Sequence, residues 1–392
     1  MVLPLNHSVH NHFVQNRYAM NKSSRVWEWQ IASRIATRGQ LEEYIELTSG
    51  ERAAFEGEPM LPFAVTPYYA KQLRHSALRG TMVPSEHEKV SSGGELADPL
   101  GEEEHRATPH LIHTYPDKVL FLATTFCPVH CRYCTRSRLV DGASCSVQEE
   151  CGATAVSTTH NPAPTKQDAP STFGQTFQYI EEHTEIRDVL ISGGDPLSLT
   201  DSVLDGILSR FRKISHIRTV RIGSKVPAVL PMRITDELCA ILRKHRVWLS
   251  LHFIHVAELS SETKAACRKL SDHGIGMVSQ TVLLKGINDD TQTLTDLFYG
   301  LLEINVKPYY LLQCDPVRGS AHFRTSVEKG IELIRSLHGS ISGLAVPQYV
   351  IDAPGGGGKV PILGAEQIRR DGDDIVFSNH EGKEYRYPDP GS

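Results

Sequence analysis

Three cysteines fall within eight residues, Cys127-Pro-Val-His-Cys131-Arg-Tyr-Cys134. Thiolates at that spacing on a short loop can hold three corners of an iron–sulfur cube. Four-iron clusters ordinarily take four cysteines, so three ligands leave one iron open to an exogenous molecule. A structural zinc ion is the other chemistry such a loop could serve, and it wants four closed ligands. His130 could supply the fourth, but only from a strained place inside the C-x3-C loop. A second motif is Ser192-Gly193-Gly194-Asp195-Pro196-Leu197. Its glycines let a ligand approach the backbone closely, although Gly-Gly-Asp-Pro is also good turn chemistry. A third is Asp352-Ala-Pro-Gly355-Gly-Gly-Gly358-Lys359. It departs from the phosphate loop G-x4-G-K-[ST], because Val360 stands where Mg²⁺ binding needs a hydroxyl. A lysine presented on a glycine run suits a Schiff base to pyridoxal 5′-phosphate (PLP). A Gly-rich surface loop with a solvated lysine is the plain alternative.

These motifs need a frame. VLFLAT at 119–124 reads as a buried strand, and 188–192, 219–223, 247–253, 277–284 and 308–313 repeat the pattern. Helical patterns lie at about 173–184, 200–213, 235–245, 260–273 and 290–303, and another follows at 327–338. Such alternation predicts an α/β fold with a parallel sheet. It suits a partial or full barrel and equally an open doubly wound sheet. In both, chemistry gathers at the C-terminal ends of the strands. The cysteine loop, the GGDP turn, His252, Gln280 and Asp315 all fall there.

The remaining segments are less periodic. Residues 24–48 carry Trp27, Trp29, Ile31 and Ile35 at helical spacing, which predicts a helix within a mainly helical N-terminal extension. Residues 85–108 are polar and acidic, with Ser-Ser-Gly-Gly at 91–94, and predict a linker or exposed loops. Residues 140–171 are rich in Ser, Thr, Ala and Pro and predict a flexible insert. Cys145 and Cys151 within it read as ordinary loop cysteines rather than a metal site or redox pair. The expected division is 1–110 for the extension, 111–340 for the core and 341–392 for the lysine segment and tail.

Composition narrows the function classes. Of 392 residues, 40% are apolar and 22% charged, which supports a sizeable core and excludes collagenous and wholly disordered chains. Lys and Arg number 41 against 46 Asp and Glu, so no basic excess points to nucleic acid or an anionic membrane. No apolar run approaches the roughly 18 residues of a membrane helix. The first 25 residues are polar, so no signal peptide is expected. Clustered thiols in such a chain point to the reducing cytoplasm.

The C-x3-C-x2-C spacing, with Tyr133 before the last cysteine, resembles the radical S-adenosylmethionine (SAM) superfamily. In that superfamily the open iron chelates SAM, whose reductive cleavage gives a 5′-deoxyadenosyl radical. The GGDP turn resembles its GGE-like motif. FCPVHCRYCTR, LISGGDPL, VRIGSKVPAVLPMRIT, QTVLLKGIND, KPYYLLQCD, SAHFRTSVEKGIE and YVIDAPGGGGKVP occur in that order. Together they are similar to the lysine 2,3-aminomutase family, from about residue 26 to about 386 with the insert set aside.

The resemblance implies a partial (β/α)6-type radical SAM barrel with a helical N-terminal and a short C-terminal extension. It implies a [4Fe–4S] cluster on Cys127, Cys131 and Cys134, and PLP on Lys359. Gly193, Gly194, Asp195, His252 and Gln280 would lie around SAM. Arg136 would pair with the substrate carboxylate, and Asp315 and Asp352 would hold its far ammonium. The implied reaction moves the α-amino group of a cationic amino acid to the β-carbon, L-lysine first and arginine as the alternative. Implied partners are the amino acid, an electron donor such as flavodoxin or ferredoxin, and further copies of the chain, with no nucleic acid or membrane. A non-catalytic zinc-binding interaction protein is the reading from a different class.

Two stretches depart from the family pattern. Where members commonly read HFNHPNE, this chain has His252-Phe-Ile-His-Val-Ala-Glu258. Where they commonly read HRYPDR, it has His113-Thr-Tyr-Pro-Asp-Lys118, so Thr114 and Lys118 replace two arginines expected near the PLP phosphate. Lysine can serve as a point charge, but the bidentate fork is lost. Long members end in a Cys-rich tail that binds zinc between subunits. No Cys follows Cys314 here, so no such site is expected.

Overall fold

The computed structural model describes residues 26–56, 61–90, 92–142, 173–362, 368–372, 374–378 and 381–388. The short strands β1 (Arg106–Thr108) and β2 (Leu111–Tyr115) lead antiparallel into β3 (Lys118–Thr124). From β3 the sheet runs parallel through β4 (Asp188–Gly193), β5 (Thr219–Ser224), β6 (Trp248–His252), β7 (Gly276–Leu283), β8 (Lys307–Gln313) and β9 (Gln348–Ala353). Strand β10 (Gly358–Pro361) then turns back antiparallel on β9. The six strands and six helices expected from periodicity are all present, with ends within about two residues of the expected ones.

The helices are α1 (Gly174–Glu182), α2 (Asp201–Lys213), α3 (Asp236–Lys244), α4 (Ser261–Asp272), α5 (Thr291–Leu302) and α6 (Val327–Leu337). Side chains of Thr235, Ser260, Asp290 and Ser326 accept the exposed amides at the starts of the last four. Helix α2 buries Leu204, Ile207, Leu208 and Phe211, one face of a 3.6-residue period, against the strands. At its inner end Phe211 meets Phe121 edge-on, with ring centroids 5.3 Å apart. Long parallel runs such as Val189, Ile191, Val220 and Ile222 are buried because helices cover the sheet.

The two ends of the sheet meet. The Tyr115 hydroxyl at the end of β2 accepts the Lys359 amide of β10 at 2.6 Å. The Pro99 carbonyl accepts the Gly355 amide at 3.2 Å. The sheet therefore curls into a partial barrel whose seam is closed by residues 98–105 and Tyr115. No described helix is long and apolar enough to cross a membrane.

Three expectations are corrected. The helix expected over 24–48 is broken into Val26–Ala32 and Arg38–Glu42. Between them Ile35 pairs its backbone with Val65, and Thr37 with Gln40 forms a capping box that starts a new helix. The stretch 85–108 is no free linker: Leu96 bridges to Val317, and β1 joins the sheet. The boundaries expected near 110 and 340 cut through elements of one sheet, since β1 precedes the first and β9 and β10 follow the second. A separate antiparallel meander, β11 (Ile368–Asp371), β12 (Asp374–Ser378) and β13 (Glu384–Pro388), follows. Most of the expected insert, with Cys145 and Cys151, lies outside the described residues.

Candidate active site at the C-terminal rim of the barrel

Strand β3 ends at Thr124 and delivers the cysteine loop over the rim. The N-terminal extension grips that loop by its backbone. The amides of His130 and Arg132 donate to the carbonyls of Ala64 and Thr81 at 2.8 and 2.9 Å, and Arg34 donates to the Cys127 carbonyl at 2.6 Å. Arg132 is buried in an ion pair with Glu88. The His130 ring is set by the extension, its Nδ1 lying 2.7 Å from the Pro62 carbonyl. Burial raises the Cys131 thiol, opposed by Lys225, and pushes Cys134 up to about 11. These thiols therefore carry protons that a metal must displace. Among the described residues no three His, Cys, Asp or Glu side chains converge as ligands of one ion. A single zinc draws thiolates to about 2.3 Å, whereas a cube keeps its cysteines at separate corners. Three thiols spread along one gripped loop, with Lys225 and Arg136 supplying positive charge beside it, fit the cube.

The glycines of the GGDP turn are required by backbone packing in addition to any approach of a ligand. A Cβ on Gly193, whose φ is +111°, would meet the Thr124 carbonyl oxygen at 2.3 Å. One on Gly194 would meet that of Phe126 at 2.2 Å. The close approach is made by the root of the cysteine loop: Gly194 and Asp195 donate their amides to Thr124 and Phe126 at 2.6 and 2.9 Å. Gly194→Ala should accordingly destabilise the fold by about 3 kcal/mol or more. It should also lower iron uptake; unchanged melting and iron content would refute this. Asp195 is buried and its carboxylate ties β4 to β5. It accepts from Ser224 Oγ at 2.8 Å, from the Leu197 amide at 3.1 Å and from the Lys225 amide at 2.7 Å. Burial lifts its pKa to about 6 against those bonds.

On the next strands His252 and Gln280 sit opposite one another in register. The His252 ring overlies the bare backbone of Gly223, and Gln280 Nε2 donates to Ser250 Oγ at 2.7 Å. Burial, with Lys225, Arg136 and Lys359 nearby, drives the His252 pKa down to about 3. The imidazole is thus neutral at any physiological pH. Three residues that motif reading passed over anchor this wall. Lys225, 8% exposed, donates to Glu258 Oε1 at 2.5 Å. Glu258, fully buried, also accepts the Tyr69 hydroxyl at 2.8 Å and the Ile254 amide at 2.7 Å. Lys225 and Glu258 stand inside the VRIGSKVP and HFIHVAE stretches, so the signal was present but unread.

The opposite wall carries the acidic groups. Lys359 on β10 faces Asp352 on β9 in register, and their side chains form an ion pair. Asp315, just past β8, accepts Thr135 Oγ1 at 2.6 Å; burial pushes its pKa up to about 6, and Asp352 adds to the rise. Asp315 and Asp352 both line a cavity of about 530 Å³, together with Gln313, Cys314, Arg324 and Ile351. Arg136 does not stand free: Glu102 accepts its Nε at 2.8 Å.

The glycine run is not a free surface loop. Gly358 has φ +78°, and a Cβ there would strike the Tyr115 ring at 2.8 Å. Lys118 Nζ lies 4.2 Å from the centroid of that same ring, which leaves a second cation on the Lys359 wall where the family's arginines are missing. A lysine held on a packed glycine turn, its amine beside a carboxylate at a cavity, fits a Schiff-base cofactor.

A parallel partial barrel with a three-cysteine loop after its first parallel strand defines a radical SAM enzyme. The family model described as Radical SAM superfamily matches residues 121–298, and that described as Lysine-2,3-aminomutase matches 334–392. An L-lysine 2,3-aminomutase of Methanococcus maripaludis is 40% identical over 373 residues, 93% of this chain and 81% of that one. One of Clostridium subterminale is 39% identical over 370 residues, 93% and 84% of the two chains. A glutamate 2,3-aminomutase of Clostridioides difficile is 34% identical over 369 residues, 93% and 82%. The chain belongs to the lysine 2,3-aminomutase family, isomerases that use a [4Fe–4S] cluster, SAM and PLP.

Proposed function

We propose that this enzyme is an L-lysine 2,3-aminomutase, converting L-lysine to β-lysine. The observation that carries the substrate is the pair of carboxylates, Asp315 and Asp352, on one cavity beside Lys359. Cys127, Cys131 and Cys134 hold the cluster, Gly193, Gly194, Asp195, His252 and Gln280 surround SAM, and Lys359 holds PLP. When bound, the cluster and SAM supply a hydrogen-abstracting radical and PLP supplies the carbon that carries the migrating amine.

The chain's own groups do the rest by charge and position. Asp352 neutralises the Lys359 ammonium in the free enzyme, and a substrate cation can take that place once Lys359 is engaged. Arg136 receives the substrate carboxylate at the other end. His252 stays neutral and adds no charge to the SAM wall, while the Glu258–Lys225 pair fixes that wall from behind. A glutamate side chain would set a third carboxylate against Asp315 and Asp352, an uncompensated charge worth several kcal/mol. The reading also calls for a one-electron donor such as flavodoxin or ferredoxin.

Turnover of a panel of amino acids under anaerobic, reducing conditions tests the reading. Lysine should be the best substrate, and a guanidinium can also bridge two carboxylates, so arginine is the member to compare. Efficient turnover of glutamate would overturn it. Asp315 must be ionised to hold a cation, and its pKa is raised to about 6. The KM for lysine should therefore rise as pH falls through about 6, and a KM flat from pH 8 to 5 would remove Asp315 from the role.

A further inference from the structure

The acidic stretch Asp98-Pro-Leu-Gly-Glu-Glu-Glu-His105 reads as linker in the sequence, yet Glu102 is only 4% exposed. Its carboxylate lies between two guanidiniums. Arg136 approaches Oε1 through both Nε, at 2.8 Å, and Nη2, at 2.7 Å. Arg138 approaches Oε2 at 3.0 Å and is held in turn by Asp98 at 3.2 Å and Glu103 at 3.3 Å. The two arginines hold Glu102 ionised, its pKa below the usual carboxylate value in spite of burial.

The same stretch grips the cofactor side of the barrel. Pro99 accepts the Gly355 amide, and the His105 ring fills the space where a Cβ on Gly356 would stand, 2.1 Å from its Cε1. His105 Nδ1 lies 2.9 Å from the Gly101 carbonyl, which fixes that ring within the stretch. Leu96 bridges Val317, next to the loop that carries Asp315.

We propose that Glu102 is a positioning residue for substrate recognition: it pins Arg136 by its Nε edge, so that the rest of the guanidinium is aimed at the substrate carboxylate, at a set distance from Lys359. This rests on Arg136 taking that carboxylate. A free arginine side chain surrenders rotamer freedom when it is ordered. Glu102 removes that cost from the binding step by ordering the side chain beforehand. Its negative charge does not repel the ligand in proportion, because Arg138 shares it.

The test is a calorimetric titration of cofactor-loaded enzyme without reductant, so that no turnover occurs. The two probes are L-lysine and 1,5-diaminopentane, which is lysine without its carboxylate. Glu102→Gln should weaken lysine binding by about tenfold or more and leave diamine binding unchanged, with iron and PLP content intact. Equal weakening of both probes would mean a merely structural role and overturn the proposal, as would unchanged or tighter lysine binding. Arg136→Met distinguishes the two levels of the argument. If this substitution does not weaken lysine more than the diamine, the carboxylate reading itself is wrong. If it discriminates and the Glu102 variant does not, only the positioning role is wrong. Should Glu102→Gln not fold, Glu102→Asp keeps the charge, shortens the arm and is read by the same outcomes.

Discussion

Cys131→Ala should yield protein without cluster iron and without turnover, and Cys127→Ala and Cys134→Ala should behave alike. In the proposed role each thiolate serves a separate corner, and among the described residues no group of three metal-ligating side chains stands ready to substitute. His130 is the nearest in sequence, but its ring is set by the Pro62 carbonyl. The loop itself should survive, because backbone groups of His130, Arg132 and Cys127 bond it to the N-terminal extension. The variant should therefore fold with unchanged circular dichroism while iron and labile sulfide fall to background after anaerobic reconstitution. The same change at Cys145 or Cys151 should leave iron and activity intact. Four-iron content retained in Cys131→Ala protein would remove these cysteines from the role.

How far the sequence carried this picture depends on what kind of constraint each element obeys. Strands β3 to β8 and helices α1 to α6 were legible because each is a short apolar run or a 3.6-residue stripe, and burial on a covered sheet leaves no other pattern. The long N-terminal helix failed because Thr37 and Gln40 compete with propagation by capping a new start, a local signal weaker than the Trp and Ile spacing. Strand β10 was missed because Gly358 and Lys359 give it no apolar alternation, and β9 because only the short run 349–351 marks it; β9 is a strand by pairing parallel with β8, and β10 by pairing antiparallel with β9. In the candidate site, residues in motifs with chemical logic of their own could be singled out from the sequence. Those whose work is to hold others were not. Glu102 sits in an acidic stretch, and Tyr115 and Glu258 in segments noted for their departures. Each gains its meaning from a partner far along the chain: Glu102 from Arg136, Tyr115 from Lys359, Glu258 from Tyr69. Glycine was read as close approach, and the structure adds a backbone reason for it, since Thr124 and Phe126 come near Gly193 and Gly194.

Lys359→Ala should lose the borohydride-trappable PLP adduct completely and all turnover with it, while keeping its iron. The amine is the nucleophile, and alanine offers none. Two other lysines approach the site and give the control. Lys225 is buried in its pair with Glu258, so its amine is committed. Lys118 lies over the Tyr115 ring on the Lys359 wall, where a point charge suits a phosphate better than a carbonyl. Lys118→Ala should therefore retain the adduct but hold PLP less tightly, and Lys225→Ala should retain it as well. Removing Lys359 also takes from Asp352, beside Asp315, the cation that pairs with it directly. Two carboxylates so placed do not both stay ionised easily. The empty site should then gain affinity for cations, so diamine should stabilise Lys359→Ala protein against thermal unfolding more than it stabilises the parent. An adduct that persists in Lys359→Ala protein, trapped and mapped by peptide mass to another lysine, would refute the assignment of the glycine turn. Equal stabilisation of both proteins by diamine would show that Lys359 and the substrate cation do not share Asp352.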